Sequence, residues 1–391
     1  MSGAPDHPAM SSVARTARVP AMVNAHSHAF QLELRAIGER SHPGDDFWSW
    51  RTEMYRLAGS HDPASMGAVG ARVYGAMAAA GYGTVGEFHY VVHQPDGRPY
   101  AEPNAMAIAL AQAAVAAGLQ IVLLPVAYHR AGPGRAAEPG QRRFCDPDVT
   151  TFLERVDALR DWAAARAGVH VGVGVHSVRA VPADWIAAVA QYAERHSLVR
   201  HVHACEQRRE LDECQAEHGC SPIELLGRCG FLGPRTSVVH GIHVSDGDVD
   251  RLADTETIVV SCPTTEGNLG DGCLPALRYR DAGVRLAIGT DEQVRIDPFE
   301  ECRELETLAR REGQTRDALL AAAGGNLWGQ LVANGRASLG IDGTAHPAPT
   351  IELNLDHPEL TGVADSDLLL ALATCASAGV VSAGVGSPEG R

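Results

Sequence analysis

Short β-type runs alternate with longer helical stretches eight times along this chain. That rhythm limits the fold more than any other feature of the sequence. The runs are Val19–Asn24, Gly83–Phe88, Gln120–Ala127, Val169–His176, Val199–His203, Ser237–His240, Thr257–Ser261 and Arg285–Gly289. Ala-rich or charged amphipathic segments lie between them, among them Met66–Ala80, Asn104–Ala117, Asp148–Ala167, Ala183–His196 and Asp246–Ala253. Eight strand–helix units in one chain predict an α/β fold of the (β/α)8 barrel type. A doubly wound open sheet is the main alternative. No Gly-x-Gly-x-x-Gly follows the first run, which weighs against it.

The polar residues fall where a barrel would use them. His26 and His28 end the first run, Glu87, His89 and Tyr90 the second, and His176 and Arg179 the fourth. His203 and Glu206 end the fifth, His240 the sixth and Asp291 the eighth. All strand C-termini of a barrel meet at one face, so these residues are expected to converge on one pocket.

Composition removes several chemistries. All 33 basic side chains are arginine, because the sequence contains no lysine. Without lysine there is no Schiff base to pyridoxal phosphate or a carbonyl substrate, no Walker A loop and no two-metal site bridged by a modified lysine. The formal charge of -15 weighs against nucleic acid and against an anionic membrane surface as partners. Nine dispersed cysteines without a C-x-x-C pair suit reduced thiols and a cytoplasmic location. Met1 to Pro20 has no apolar core of a leader peptide, and no run reaches the ~18 apolar residues of a membrane span.

His26-Ser27-His28 puts two imidazoles on the same side of a strand, since side chains alternate with period two. With 18 histidines present, an isolated His-x-His is weak evidence. His203 at a strand end and Asp291 after the Ile288-Gly289-Thr290 turn complete a set of three imidazoles and one carboxylate. That set fits one divalent ion, Zn2+ or alternatively Fe2+, with an open position at which a water is activated. Glu206, three residues past His203, is suited to moving a proton to a leaving nitrogen. His240 is placed to hold the attacking water or to polarise the substrate. His201 competes with His203 for the ligand role on the same strand face, and His243 competes with His240.

This frame resembles that of the amidohydrolase superfamily. Within it, the chain is similar to the formimidoylglutamate deiminase family of histidine degradation. The resembling strings are His26-Ser-His-Ala-Phe-Gln31, Phe47-Trp-Ser-Trp-Arg51, Glu87-Phe-His-Tyr90, Val175-His-Ser-Val-Arg179, His203-Ala-Cys-Glu-Gln207, Val239-His-Gly-Ile-His243, Glu266-Gly-Asn-Leu-Gly-Asp-Gly272 and Gly289-Thr-Asp291. The similarity runs from about residue 20 to about residue 330.

The resemblance implies that His26, His28, His203 and Asp291 are metal ligands and that Glu206, His240 and Asp291 are catalytic. It implies that Gln31, Arg51, Tyr90, His176 and Arg179 bind the glutamate portion of the substrate or orient its formimidoyl group. It also implies a homodimer and a metal-dependent hydrolysis of a linear amidine to a formamide and ammonia. Arg51 and Arg179 fit the role of carboxylate clamps, because guanidinium pairs bidentately with carboxylate. Trp48 and Trp50 are read as packing for the arginine-bearing segment.

The chain departs from the family pattern in two places. Only 25 residues precede His26, and the resemblance implies a longer segment that pairs with the C-terminal tail in a small β-sandwich. The expected organisation is therefore an N-terminal arm at 1–18, the barrel at 19–335 and a reduced second domain at 336–391, with a tail from Ala376 without fixed structure. Glu292-Gln-Val-Arg295 differs from the Ser-containing run of the family and is expected at the pocket rim, where it would shift substrate scope. Two other readings stay open: a deaminase acting on a guanine- or cytosine-type substrate or another amidine, and an inactive barrel that binds a partner.

Overall fold

The computed structural model describes residues 15–38, 47–341, 343 and 346–386. Eight parallel strands wrap in chain order. They are β1 (Met22–Ser27), β2 (Tyr82–His89), β3 (Gln120–Ala127), β4 (Val173–Ser177), β5 (Arg200–Ala204), β6 (Thr236–His240), β7 (Ile258–Ser261) and β8 (Leu286–Ile288). Each pairs with its sequence neighbour. A short strand, Val169–Val171, precedes β4 and pairs with β3. Gly172 lies between the two pieces, where a Cβ would stand 2.7 Å from both Leu124 and Val199.

The ring closes just beyond β8. Ser27 bridges Asp291 in parallel. The His28 N–H donates to the Asp291 carbonyl at 3.0 Å, and the Thr290 and Asp291 N–H groups both donate to the His26 carbonyl at 3.1 Å. The eight-fold (β/α)8 expectation therefore holds, and the barrel is sewn shut at the level of His26, His28 and Asp291.

Local sequence fixes the helices between strands. Pro63–Ala80 starts at an Asp62–Ser65 capping box with Pro63 in its first turn, and it ends at Gly81 with φ 107°. That left-handed cap suits glycine and stops the helix one residue before β2. Val69, Val73, Tyr74 and Met77 on its inner face are fully buried. The N-terminal end of the barrel is plugged by the helix Leu327–Ser338 and the turn after it. A Cβ on Gly86 would stand 2.5 Å from the Leu339 side chain, and Ser237 Oγ meets Ser338 Oγ at 2.8 Å.

The run Val19–Asn24, read as one strand, is two. Thr16–Pro20 pairs antiparallel with Thr350–Asn354, which in turn pairs with Val381–Gly386, in a separate three-stranded sheet. β1 starts only at Met22. The change of partner falls at Ala21, whose N–H donates to the Pro349 carbonyl at 2.9 Å. Pro20 has no N–H to offer a ladder. Hydrophobicity runs straight through this junction, so the pattern cannot reveal it. Val381–Gly386 is a strand inside the stretch expected to lack structure. Ala378–Val380, just before it, forms a short 3-10 turn, and residues 1–14 and 387–391 of the expected arm and tail lie outside the described residues. No helix among the described residues is long and apolar enough to cross a membrane.

Candidate active site

The period-two geometry of β1 brings His26 and His28 together, with Nε2 atoms 3.2 Å apart. His203, from the end of β5, places its Nε2 3.0 Å from that of His26. Asp291 Oδ1 lies 3.4 Å from His26 Nε2 and 3.3 Å from His28 Nε2. All four side chains are buried, and their ligand atoms lie within 4.8 Å of one another. His28 Nδ1 bonds the Phe88 carbonyl at 2.8 Å, which leaves the Nε2 lone pair facing the cluster.

Burial holds His28 down at about 3 and keeps His26 and His203 well below the ordinary imidazole value, with neighbouring histidines adding to the effect. These three rings are therefore neutral and able to donate lone pairs. Imidazole nitrogens at 3.0–3.2 Å need a shared ring proton or a cation among them, and a single N–H on His26 Nε2 can serve only one of its two neighbours well. Three neutral nitrogens and one carboxylate make a donor set that fits a divalent ion. His201 takes no part. Its Nε2 bonds the Ser338 carbonyl at 2.9 Å, deeper in the barrel.

His240 and Glu206 flank this frame. His240 Nε2 lies 3.6 Å from Glu206 Oε1 and 3.8 Å from Asp291 Oδ2. On its other side, His240 Nδ1 meets Glu266 Oε1 at 3.3 Å. Glu266 is itself held by Ser261 Oγ at 2.8 Å and the Cys262 N–H at 2.7 Å. Burial opposes a charge on His240, but the surrounding carboxylates, Glu206 foremost, push it up to about 10. Burial raises Glu206 above the usual carboxylate range, with His240 pulling the other way. His243 does not line the cavity and sits half-buried against Gly272.

Backbone strain gathers at the same face. Cys205, His240, Asp291 and Gln293 have φ of 59°, 71°, 48° and 65°. Left-handed non-glycine residues cost about 1–2 kcal/mol each. The strain is held by bonds across the strand ends: Gly241 N–H to the Ala204 carbonyl at 3.0 Å, and Ile242 and His243 N–H to the Cys205 carbonyl at 3.0 and 2.9 Å. It turns Glu206 and His240 toward the pocket directly after their strands end.

A cavity opens above the frame. Gln31, Arg51, Tyr90, His176 and Arg179, the five residues expected to bind substrate, all line it together with Glu206, His240 and Asp291. Gln31 Nε2 donates to Tyr90 Oη at 3.1 Å. His176 packs edge-on against Tyr90 and Tyr128, with centroids 5.3 and 4.6 Å apart, and burial beside Arg179 keeps it neutral. Arg51 lies 4.5 Å over the Trp48 ring, and its buried Nη1 has no partner among the described residues. Arg179 lies 5.7 Å from the same ring and spends one long bond, 3.4 Å, on the Ala131 carbonyl. Trp48 and Trp50 line the cavity rather than only packing behind it.

Three functional positions escaped the sequence reading. Glu266 orients His240, Glu210 lines the cavity, and Gln293 braces the closing seam. Burial and the neighbouring Glu206 push Glu210 up to about 7, and its Oε1 has no partner among the described residues. Its place one helical turn after Glu206 was the available signal.

Gln293 corrects the expectation that residues 292–295 form the pocket rim, since none of them lines the cavity. Gln293 is fully buried. Its Nε2 donates to Ser27 Oγ at 2.9 Å and to the Asp291 carbonyl at 2.8 Å, and its Oε1 accepts from Thr290 Oγ1 at 2.7 Å. Ser27 passes the chain on to Glu87 at 2.7 Å. The left-handed backbone at 293 turns this side chain inward, beneath the ligands.

The amidohydrolase family model matches residues 18–331. A formimidoylglutamate deiminase from Pseudomonas aeruginosa is 38% identical over 328 residues, covering 82% of this chain and 72% of that relative. A 5-methylthioadenosine/S-adenosylhomocysteine deaminase from Haloarcula marismortui is 28% identical over 360 residues, covering 89% and 75%. Among solved structures, an amidohydrolase from Brucella melitensis superposes with a TM-score of 0.85 at 34% identity, covering 94% of this chain and 85% of that one. An adenosine deaminase from Xanthomonas campestris with bound zinc shares the fold at a TM-score of 0.77 and 20% identity, covering 94% and 78%. The family match spans most of the barrel, including every member of the four-donor frame, and the chain belongs to the amidohydrolase family.

Proposed function

We propose that this chain hydrolyses N-formimidoyl-L-glutamate to N-formyl-L-glutamate and ammonia, as a hydrolase of linear amidines in histidine degradation. The observation that carries this reading is a pair of arginines with unspent donors, Arg51 and Arg179, in one cavity with a metal-ligand frame. A purine would not use two guanidinium clamps, whereas an acyclic dicarboxylate needs both. The 38% identical deiminase supports the same substrate.

Zinc fits best as the resident ion at His26, His28, His203 and Asp291, where it would supply Lewis acidity and activate a water. The chain's own groups do the rest. Arg51 and Arg179 bind the two carboxylates and fix the amidine over the frame. Tyr90, Gln31 and His176 wall the formimidoyl group. His240, oriented by Glu266, donates from Nε2 toward the reacting centre. Glu206 carries a proton on its carboxylate to the departing nitrogen. Water adds across the C=N bond to give a tetrahedral carbon that bears a hydroxyl and an amino group. Ammonia then leaves from it, so the C=N bond is exchanged for a C=O bond while the bond to the glutamate nitrogen is kept. A homodimer and a cytoplasmic location belong to the same reading.

The test is ammonia release from N-formimidoyl-L-glutamate, with and without a chelator, beside guanine, cytosine and 5'-methylthioadenosine. Release from the first substrate only, abolished by chelation and restored by zinc, supports the proposal. Preferential release from a nucleobase or nucleoside overturns it. Arg51→Met is expected to raise KM about 10–100-fold, since a hydrogen bond to a charged group contributes about 1.5–3 kcal/mol. N-formimidoyl-glycine, which keeps only the α-carboxylate, assigns the contact: an equal loss on both substrates places Arg51 on the α-carboxylate, and a smaller loss on the glycine compound places it on the γ-carboxylate. An unchanged KM for N-formimidoyl-L-glutamate would remove Arg51 from the clamp.

A further inference from the structure

We propose that Glu206, His240 and Asp271 form a second, inhibitory site for Zn2+ beside the four-ligand frame. Each contributes one ligand atom, and these atoms lie within 4.8 Å of one another. Asp271 follows the short helix Pro263–Leu269 and is 4% exposed. Gln207 Nε2 fixes its Oδ1, while its buried Oδ2 has no partner among the described residues. A buried carboxylate oxygen without a donor points to a missing cation or proton.

The neighbouring cluster of His240, Cys262 and Glu266 is different. Both Glu266 oxygens are engaged, by His240, Ser261 and the Cys262 N–H. That cluster is closed, and the Asp271 cluster is open. Charge points the same way, because Glu206, Glu266, Asp271 and Asp291 crowd one imidazole. A single divalent ion in the frame offsets only two of these four carboxyl groups. One imidazole and two carboxylates are a borderline donor set that favours zinc over the hard ions calcium and magnesium.

An ion bound there would take the Glu206 carboxylate and, by displacing to solvent the proton that His240 otherwise carries, the His240 Nε2. This consequence for turnover rests on the proposed roles of Glu206 and His240; the binding itself does not. The experiment starts from protein holding one equivalent of zinc and titrates further zinc. Equilibrium dialysis measures stoichiometry, and ammonia release measures turnover. Wild type is expected to bind a second equivalent and lose turnover in step with it. In Asp271→Asn, the second equivalent should bind about tenfold more weakly or worse, with the inhibitory zinc concentration raised by the same factor and the first equivalent kept. The exposed thiols of Cys273 and Cys375 are common to both proteins and cancel in the comparison.

A wild type that binds only one equivalent, or an Asp271→Asn protein with unchanged second binding, overturns the site. Asp271→Ser gives the same reading if the asparagine variant does not fold. If N-formimidoyl-L-glutamate releases no ammonia, the functional proposal fails while the dialysis arm still decides this one.

Discussion

Glu206→Gln is expected to lower the rate of ammonia release about 10³-fold, within the range by which a positioned general acid or base contributes, while bound metal stays at one equivalent. Glutamine keeps the shape and the polarity of the side chain but cannot take up and release a proton. Glu206 is not part of the four-donor frame, so metal content should not follow activity. Its only ionic neighbour within 4 Å among the described residues is His240, at 3.6 Å. The substitution therefore removes the proposed proton carrier and one of several carboxyl groups around His240. Loss in kcat with KM nearly unchanged would place the missing interaction in the transition state. Turnover within tenfold of wild type, with metal bound, would sink the assignment of Glu206.

The frame was legible because it obeys local rules. His26 and His28 sit two apart at the end of a β-type run, His203 and His240 end two others and Asp291 follows the last, where a barrel exposes its side chains. What stayed hidden depends on partners distant in sequence. Glu266 matters through His240, 26 residues away, and Gln293 matters through Ser27, 266 residues away. Nothing in the letters around Gln293 distinguishes a rim residue from a buried brace. The decisive fact is a left-handed φ of 65°, which hydrophobic pattern does not encode. His201 shows the opposite failure. It shares the strand face of His203 and passes the periodicity test, yet it stands one layer deeper and meets Ser338. Periodicity gives the face of a strand, and only the depth along the barrel axis separates ligand from plug.

Asp291→Asn is expected to abolish measurable ammonia release through loss of a catalytic carboxylate and, separately, to lower metal affinity about 100-fold, with the barrel intact. The barrel seam uses the Asp291 backbone, whose N–H bonds the His26 carbonyl at 3.1 Å and whose carbonyl accepts from the His28 N–H at 3.0 Å. Asparagine keeps both bonds and tolerates the φ of 48° at this position. What disappears is the only anionic donor of the frame, with three neutral imidazoles left behind. Metal that binds only the folded chain stabilises it by RT ln(1 + [L]/Kd), about 4 kcal/mol at a thousand times Kd. A hundredfold weaker Kd at the same zinc concentration leaves about 1.4 kcal/mol. Chelator-treated wild type and variant should therefore unfold at similar temperatures, and added zinc should raise Tm markedly in wild type and slightly in the variant. Equal zinc-induced shifts would show that Asp291 is not a ligand. A lower Tm in the metal-free variant would instead show that the carboxylate, through His240 at 3.8 Å, helps hold the folded site before any ion arrives.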